Sequence, residues 1–140
     1  MRRRATITLH WLTATLLLFV LGDAGATAWL AWLYALSGLA MCALALGFGL
    51  MNGPGPRLAG AFRMGHPWLH RGLYGLIGWG AVALVAEGMA RPLPGPPARV
   101  LLLTLLAAAL IHGIFNLWRH TALGDGALRR MTPRFLHHIL

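Results

Sequence analysis

Four long apolar runs decide what this chain can fold into. They occupy about residues 6–21, 26–51, 67–89 and 97–119. Each approaches or exceeds the roughly 20 residues that a helix needs to cross a bilayer. In hydrocarbon every backbone N–H and C=O must be paired within the protein, so only helices and closed barrels span it. Runs this long, without polar–apolar alternation, read as helices. The breaks between them, GDAGA, NGPGPRLAG and RPLPGPP, are built from turn residues. The first and last breaks are short and force antiparallel neighbours. The expectation is an all-α membrane protein, one four-helix bundle over residues 1–140, with a tail at 120–140 and no soluble domain.

The charges supply the orientation. All 12 basic residues are arginine, against 3 acidic ones, for a net charge of +9. A basic excess can signal nucleic acid, but these arginines fall in short clusters between apolar runs, which is how membrane proteins set topology. Under an up-down bundle, Arg2, Arg3, Arg4, Arg57, Arg63, Arg71, Arg119, Arg129, Arg130 and Arg134 share one side. Arg91 and Arg99 share the other with Asp23 and Glu87, where the two carboxylates are placed to cap helices. The positive-inside rule then puts both termini in the cytoplasm and the chain in a cytoplasmic membrane, in contact with lipid rather than nucleic acid. Trp11, Trp68 and Trp118 fall near one boundary and Trp29 and Trp32 near the other, as in aromatic belts. The MRRR start resembles a signal peptide. The run behind it carries histidine and threonines, however, and another span follows at once, so it reads as a retained helix. The single cysteine, Cys42, excludes an internal disulfide and reads as a packing residue.

Histidines inside such runs need a reason, because polar groups in a membrane are costly and usually functional. His10, His70 and His112 lie at similar depth, one to two turns from the cytoplasmic face, on helices one, three and four. Each belongs to a polar stripe at helical spacing: Thr6, His10 and Thr13; His66, His70 and Tyr74; Thr104, Ala108, His112, Asn116 and Arg119. Interhelical hydrogen bonding accounts for any one of these rings. Three at one level point to a ligand that takes imidazoles from two helices, and low-spin haem b does so through two axial nitrogens. Small residues beside His112 (Ala107, Ala108, Ala109, Gly113) and along helix three (Gly72, Gly75, Gly78, Gly80) suit either a flat macrocycle or close helix packing. Arg63, Arg71, Arg119 and the N-terminal arginines sit at the level where propionates need cations. HExxH and a carboxylate-rich di-metal set are both missing from the sequence. The pair His137–His138 reads as an exposed end.

The residues also resemble a family. ITLHWLTATLLL is similar to the first helix of the bacterial cytochrome b561 family, LHRGLYGLIGWGAVALVAEG to its third, and ALIHGIFNLWRHTALGDGALRRMTP to the end of its fourth. Together they cover about half the chain, and the last stretch is the most specific. The resemblance implies four helices, a bacterial inner membrane and stacked b haems. The cytoplasmic-side haem would take His10 and His112. The second haem would need histidines at the starts of helices two and four, and the matching stretches WLAWLYALSGLAM and PPARVLLLTLL contain none.

One haem b is therefore expected, with His10 and His112 as metal ligands and Arg71, Asn116 and Arg119 around it. His70 and Tyr74 stand by, as a replacement ligand, a propionate partner or a quinone contact. The chain is then a mono-haem electron carrier, or a subunit docked on a larger redox or photosynthetic complex. The alternative is a haem-free structural subunit that stabilises such a complex. Pigment ligation by His112 has only a short pattern behind it.

Overall fold

A computed structural model of the chain describes residues 1–23, 27–51, 53 and 57–139. Among them the regular structure is all helical: α1 (Arg2–Gly22), α2 (Ala28–Phe48), α3 (Gly60–Gly88), α4 (Ala98–Thr121), a short α5 (Ala127–Met131) and a 3-10 turn at Arg134–Leu136. The first four are each long and apolar enough to cross a membrane. Each packs against the next, whereas α1 and α4 touch only sparsely, so the bundle has one loose seam. Both termini lie at the arginine-rich end, where Arg2 donates to the Gly49 carbonyl at 2.6 Å and Arg3 to the Arg129 carbonyl at 2.9 Å.

Helix limits move from the sequence expectation where neighbours override local signals. α1 takes in the arginines and begins at Arg2 rather than near residue 6. The expected start of the second helix at Ala26 lies outside the described residues; α2 runs from Ala28 and ends at Phe48, where Gly49 turns to positive φ. The largest change is in α3. Proline commonly opens helices, and the third run was expected to begin at Pro67, yet the helix passes through Pro67 from Gly60. The added turns are buttressed by α4: Phe62 stacks on Phe115 and Trp118, and Arg119 bonds His66.

The far half of the bundle is solid. Tyr34, Ala35, Ala81 and Leu102 are buried to within 1% and form its centre with Leu105 and Ile77. Two glycines permit this approach. A Cβ on Gly38 would stand 2.9 Å from Ile77 Cγ2, and one on Gly80 would stand 3.1 Å from Leu102 Cδ2. The first obstacle is a stiff β-branched methyl and the second a flexible side-chain end. Gly38→Ala is therefore expected to destabilise the protein by about 1–3 kcal/mol, and Gly80→Ala by less. Thermal melts of the two variants in one detergent check the order. Gly72 and Gly75, by contrast, face open space and pack nothing.

The two far-side carboxylates cap helices as the sequence suggests. Asp23 Oδ2 accepts from the Thr27 N–H at 2.8 Å and its hydroxyl at 2.7 Å, just before α2. Glu87 Oε1 accepts from the Ala98 N–H at 2.7 Å, at the first residue of α4. Each satisfies a donor that a helix N-terminus leaves open.

Residues 120–139 do not trail away as a tail. Gly126 adopts φ +69°, turning the chain into α5, which folds back beneath the bundle. Trp11 Nε1 donates to the Met131 carbonyl at 2.8 Å, and Arg130 donates to the Gly53 carbonyl at 2.6 Å.

Candidate functional site

The loose seam opens into a cavity of about 370 Å³, within the range of small-molecule and cofactor sites. His10 comes from α1, His66, His70 and Tyr74 from α3, and His112, Asn116 and Arg119 from α4. Apolar side chains such as Leu17, Leu105 and Leu110 form much of the rest of the walls, and Leu128, Arg130 and Met131 of the C-terminal segment also line it. Nothing lies within 4 Å of where a Cβ on Gly113 would project, so the glycine leaves free space beside His112.

The histidines are held individually. His70 Nδ1 lies 2.9 Å from the His66 carbonyl, one turn earlier. A carbonyl only accepts, so the Nδ1 position carries the proton and Nε2 keeps its lone pair. Backbone bonding of this kind orients imidazoles that ligate metals. The His70 ring meets His112 edge to face at 5.0 Å. His10 stands on the separate α1 wall, its ring edge-on to Trp11 at 5.6 Å. Asn116 donates to the His112 carbonyl at 2.9 Å and sits 3.3 Å from both of its ring nitrogens, favouring neither.

One end of the cavity carries a buried polar network. Arg119 is 2% exposed and bonds Asp125 Oδ2 through Nε at 2.8 Å and Nη2 at 2.6 Å. Its Nη1 donates to His66 Nε2 at 2.8 Å. Arginine has donors only, so His66 Nε2 is the acceptor and its proton resides on Nδ1. That Nδ1 has no partner among the described residues, although His66 is only 3% exposed. An unpaired buried donor costs about 1–3 kcal/mol.

The structure thus gathers six of the seven residues singled out from sequence: His10, His70, Tyr74, His112, Asn116 and Arg119. It separates the seventh. Arg71 is exposed on the outer face of α3, its guanidinium 4.8 Å from the Trp68 ring, and does not reach the cavity. Sequence reasoning left out His66, Asp125 and Arg130. His66 already stood in the α3 stripe with His70 and Tyr74 but was not assigned a role there. Asp125 had a simpler signal: it is the only acidic residue in the arginine-rich half of the connections.

These features define a four-helix polytopic membrane protein with a histidine-lined cavity between its first, third and fourth helices. No protein family, curated protein or solved structure matches the chain. Among the described residues no group of three or more His, Cys, Asp or Glu side chains is arranged to hold a bare metal ion. A porphyrin brings four of its iron's ligands itself, so two imidazoles complete that set. The donor chemistry and the apolar walls fit such a group.

Proposed function

We propose that this chain is a mono-haem b electron-transfer protein of a bacterial inner membrane, a short and divergent relative of the cytochrome b561 family. His10 from α1 and His112 from α4 would hold the haem iron, Leu17, Leu105, Leu110 and Gly113 would flank the ring, and His70 would stand beside His112. When bound, haem supplies one-electron exchange. The chain's own part is to exclude water with apolar walls, to orient the imidazoles and to place positive charge at the mouth. The observation that carries the reading is the meeting of four histidines from three helices in one cavity at the seam where α1 and α4 part.

The solid far half agrees with one haem rather than two. Tyr34 and Leu102 fill its centre and no histidine lies there. A single haem near one face does not carry electrons across the membrane alone. The chain therefore works as a relay on the cytoplasmic side, with quinone or neighbouring subunits as its exchange partners. The arginine-rich end faces the cytoplasm on this reading.

A haem-free structural subunit is the second reading. It is favoured by an apolar groove of about 230 Å³ on the opposite face, between α2 and α3, lined by Trp32, Leu36, Val82 and Met89. A reduced-minus-oxidised absorption spectrum with haem-to-protein stoichiometry separates the two. One low-spin haem b per chain is expected. No Soret band would leave the structural reading, and two haems per chain would overturn the single-site assignment.

A further inference from the structure

We infer that the arginine-rich end of the cavity is a carboxylate anchor, in which His66 Nδ1–H donates to a carboxylate of the bound molecule and Arg130 balances its charge. The argument begins with the orphaned donor. His66 lines the cavity, is 3% exposed, and has its Nε2 committed to Arg119. That commitment leaves Nδ1 as a buried N–H without a partner among the described residues. Buried donors of this kind are satisfied in the working state of a protein.

Charge selects the acceptor. Arg119 is neutralised by Asp125 through two short bonds to one oxygen. Arg130 also lines the cavity, and among the described residues its guanidinium bonds only the neutral Gly53 carbonyl, at 2.6 Å. The cavity end therefore offers one neutral N–H donor and one unit of positive charge. A monoanionic acceptor such as a carboxylate answers both, whereas a neutral carbonyl leaves the charge unanswered. The ring is also pre-positioned: Asp125 holds Arg119, Arg119 fixes the His66 tautomer, and the His66 carbonyl holds His70. A haem propionate and the head of a fatty acid share this chemistry. The inference rests on the haem reading for the identity of the molecule, not for the anchor.

His66→Gln isolates the donor. Glutamine can keep an acceptor oxygen near the Nε2 position for Arg119 while losing the Nδ1–H. The full-length protein is titrated with ferric haem b and with its dimethyl ester, following the Soret band. The Gln variant is expected to bind haem b about 10- to 100-fold more weakly and the ester as the wild type does. His66→Asn, which restores a donor near the Nδ1 position, recovers part of the loss. Equal weakening toward both porphyrins, or no weakening toward haem b, overturns the anchor. If the Gln variant does not fold, Arg130→Gln carries the same test with the same ester-insensitive loss. If the wild type binds neither porphyrin, the haem reading falls and oleate against methyl oleate decides the anchor. Thermal stabilisation by oleate alone, lost in His66→Gln, supports it; equal effects of acid and ester overturn it.

Discussion

On the proposed haem reading, His10→Ala is expected to abolish the low-spin spectrum outright. α1 carries no second imidazole, and the cavity histidines left are His66 and His70 on α3, with His66 committed to Arg119, and His112 on α4. The α1 wall then offers the proposed haem no imidazole. His112→Ala is expected to convert the spectrum to high spin as well. His70→Ala should keep it, because His70 is bonded to its own helix and stands beside the proposed pair. Far-UV circular dichroism on each variant separates loss of the site from loss of the fold. A low-spin spectrum surviving in both His10→Ala and His112→Ala would remove the assignment. Loss in His70→Ala with retention in His112→Ala would move the α4 role to α3.

The bundle itself was legible because its causes are local. Four apolar runs, turn-rich breaks and one-sided arginines require no knowledge of the partners. Helical spacing and the span limits likewise placed His10, His70 and His112 on walls of one cavity, although Thr104, first in the α4 stripe, is exposed and bonds the Val100 carbonyl of its own helix. What escaped was set by tertiary contacts. Pro67 looked like a helix start, and only the packing of Phe62 and His66 against α4 shows why the helix runs through it. Arg71 lay one residue beyond His70 and seemed equally close to the site. One residue along a helix is about 100° of rotation, enough to turn it outward onto Trp68. The C-terminal residues carry no long apolar run, so nothing local foretold that they would fold under the cavity. Their placement depends on Trp11, Arg3 and Arg130 reaching carbonyls far away in sequence. The haem reading stands on the part that was legible, and the carboxylate anchor on the part that was not.

Asp125→Ala is expected to cost about 3–5 kcal/mol, the largest single effect on stability outside the hydrophobic core. The Asp125 side chain is 0% exposed and that of Arg119 is 2% exposed. Removing the carboxylate takes the Asp125 charge and two short hydrogen bonds away from a buried guanidinium. The same substitution removes the Oδ1 acceptor of the Ala127 N–H, which holds the first turn of α5. The C-terminal segment should therefore loosen, and limited proteolysis should cut residues 122–139 in the variant before the wild type. Asp125→Asn should fall between the two, because an amide keeps an acceptor but no charge. The double variant Arg119→Met/Asp125→Leu distinguishes the mechanisms. Replacing both members of a buried pair by apolar side chains is often close to neutral, so the double variant should recover most of the stability that Asp125→Ala loses. It should nevertheless bind carboxylate ligands poorly, because His66 then has nothing to fix its tautomer. Melting temperatures in detergent read the first effect and haem b titration reads the second. A loss below about 1 kcal/mol in Asp125→Ala would mean that water reaches the pair, as at an exposed salt bridge. The network would then stand at the membrane surface rather than inside the protein.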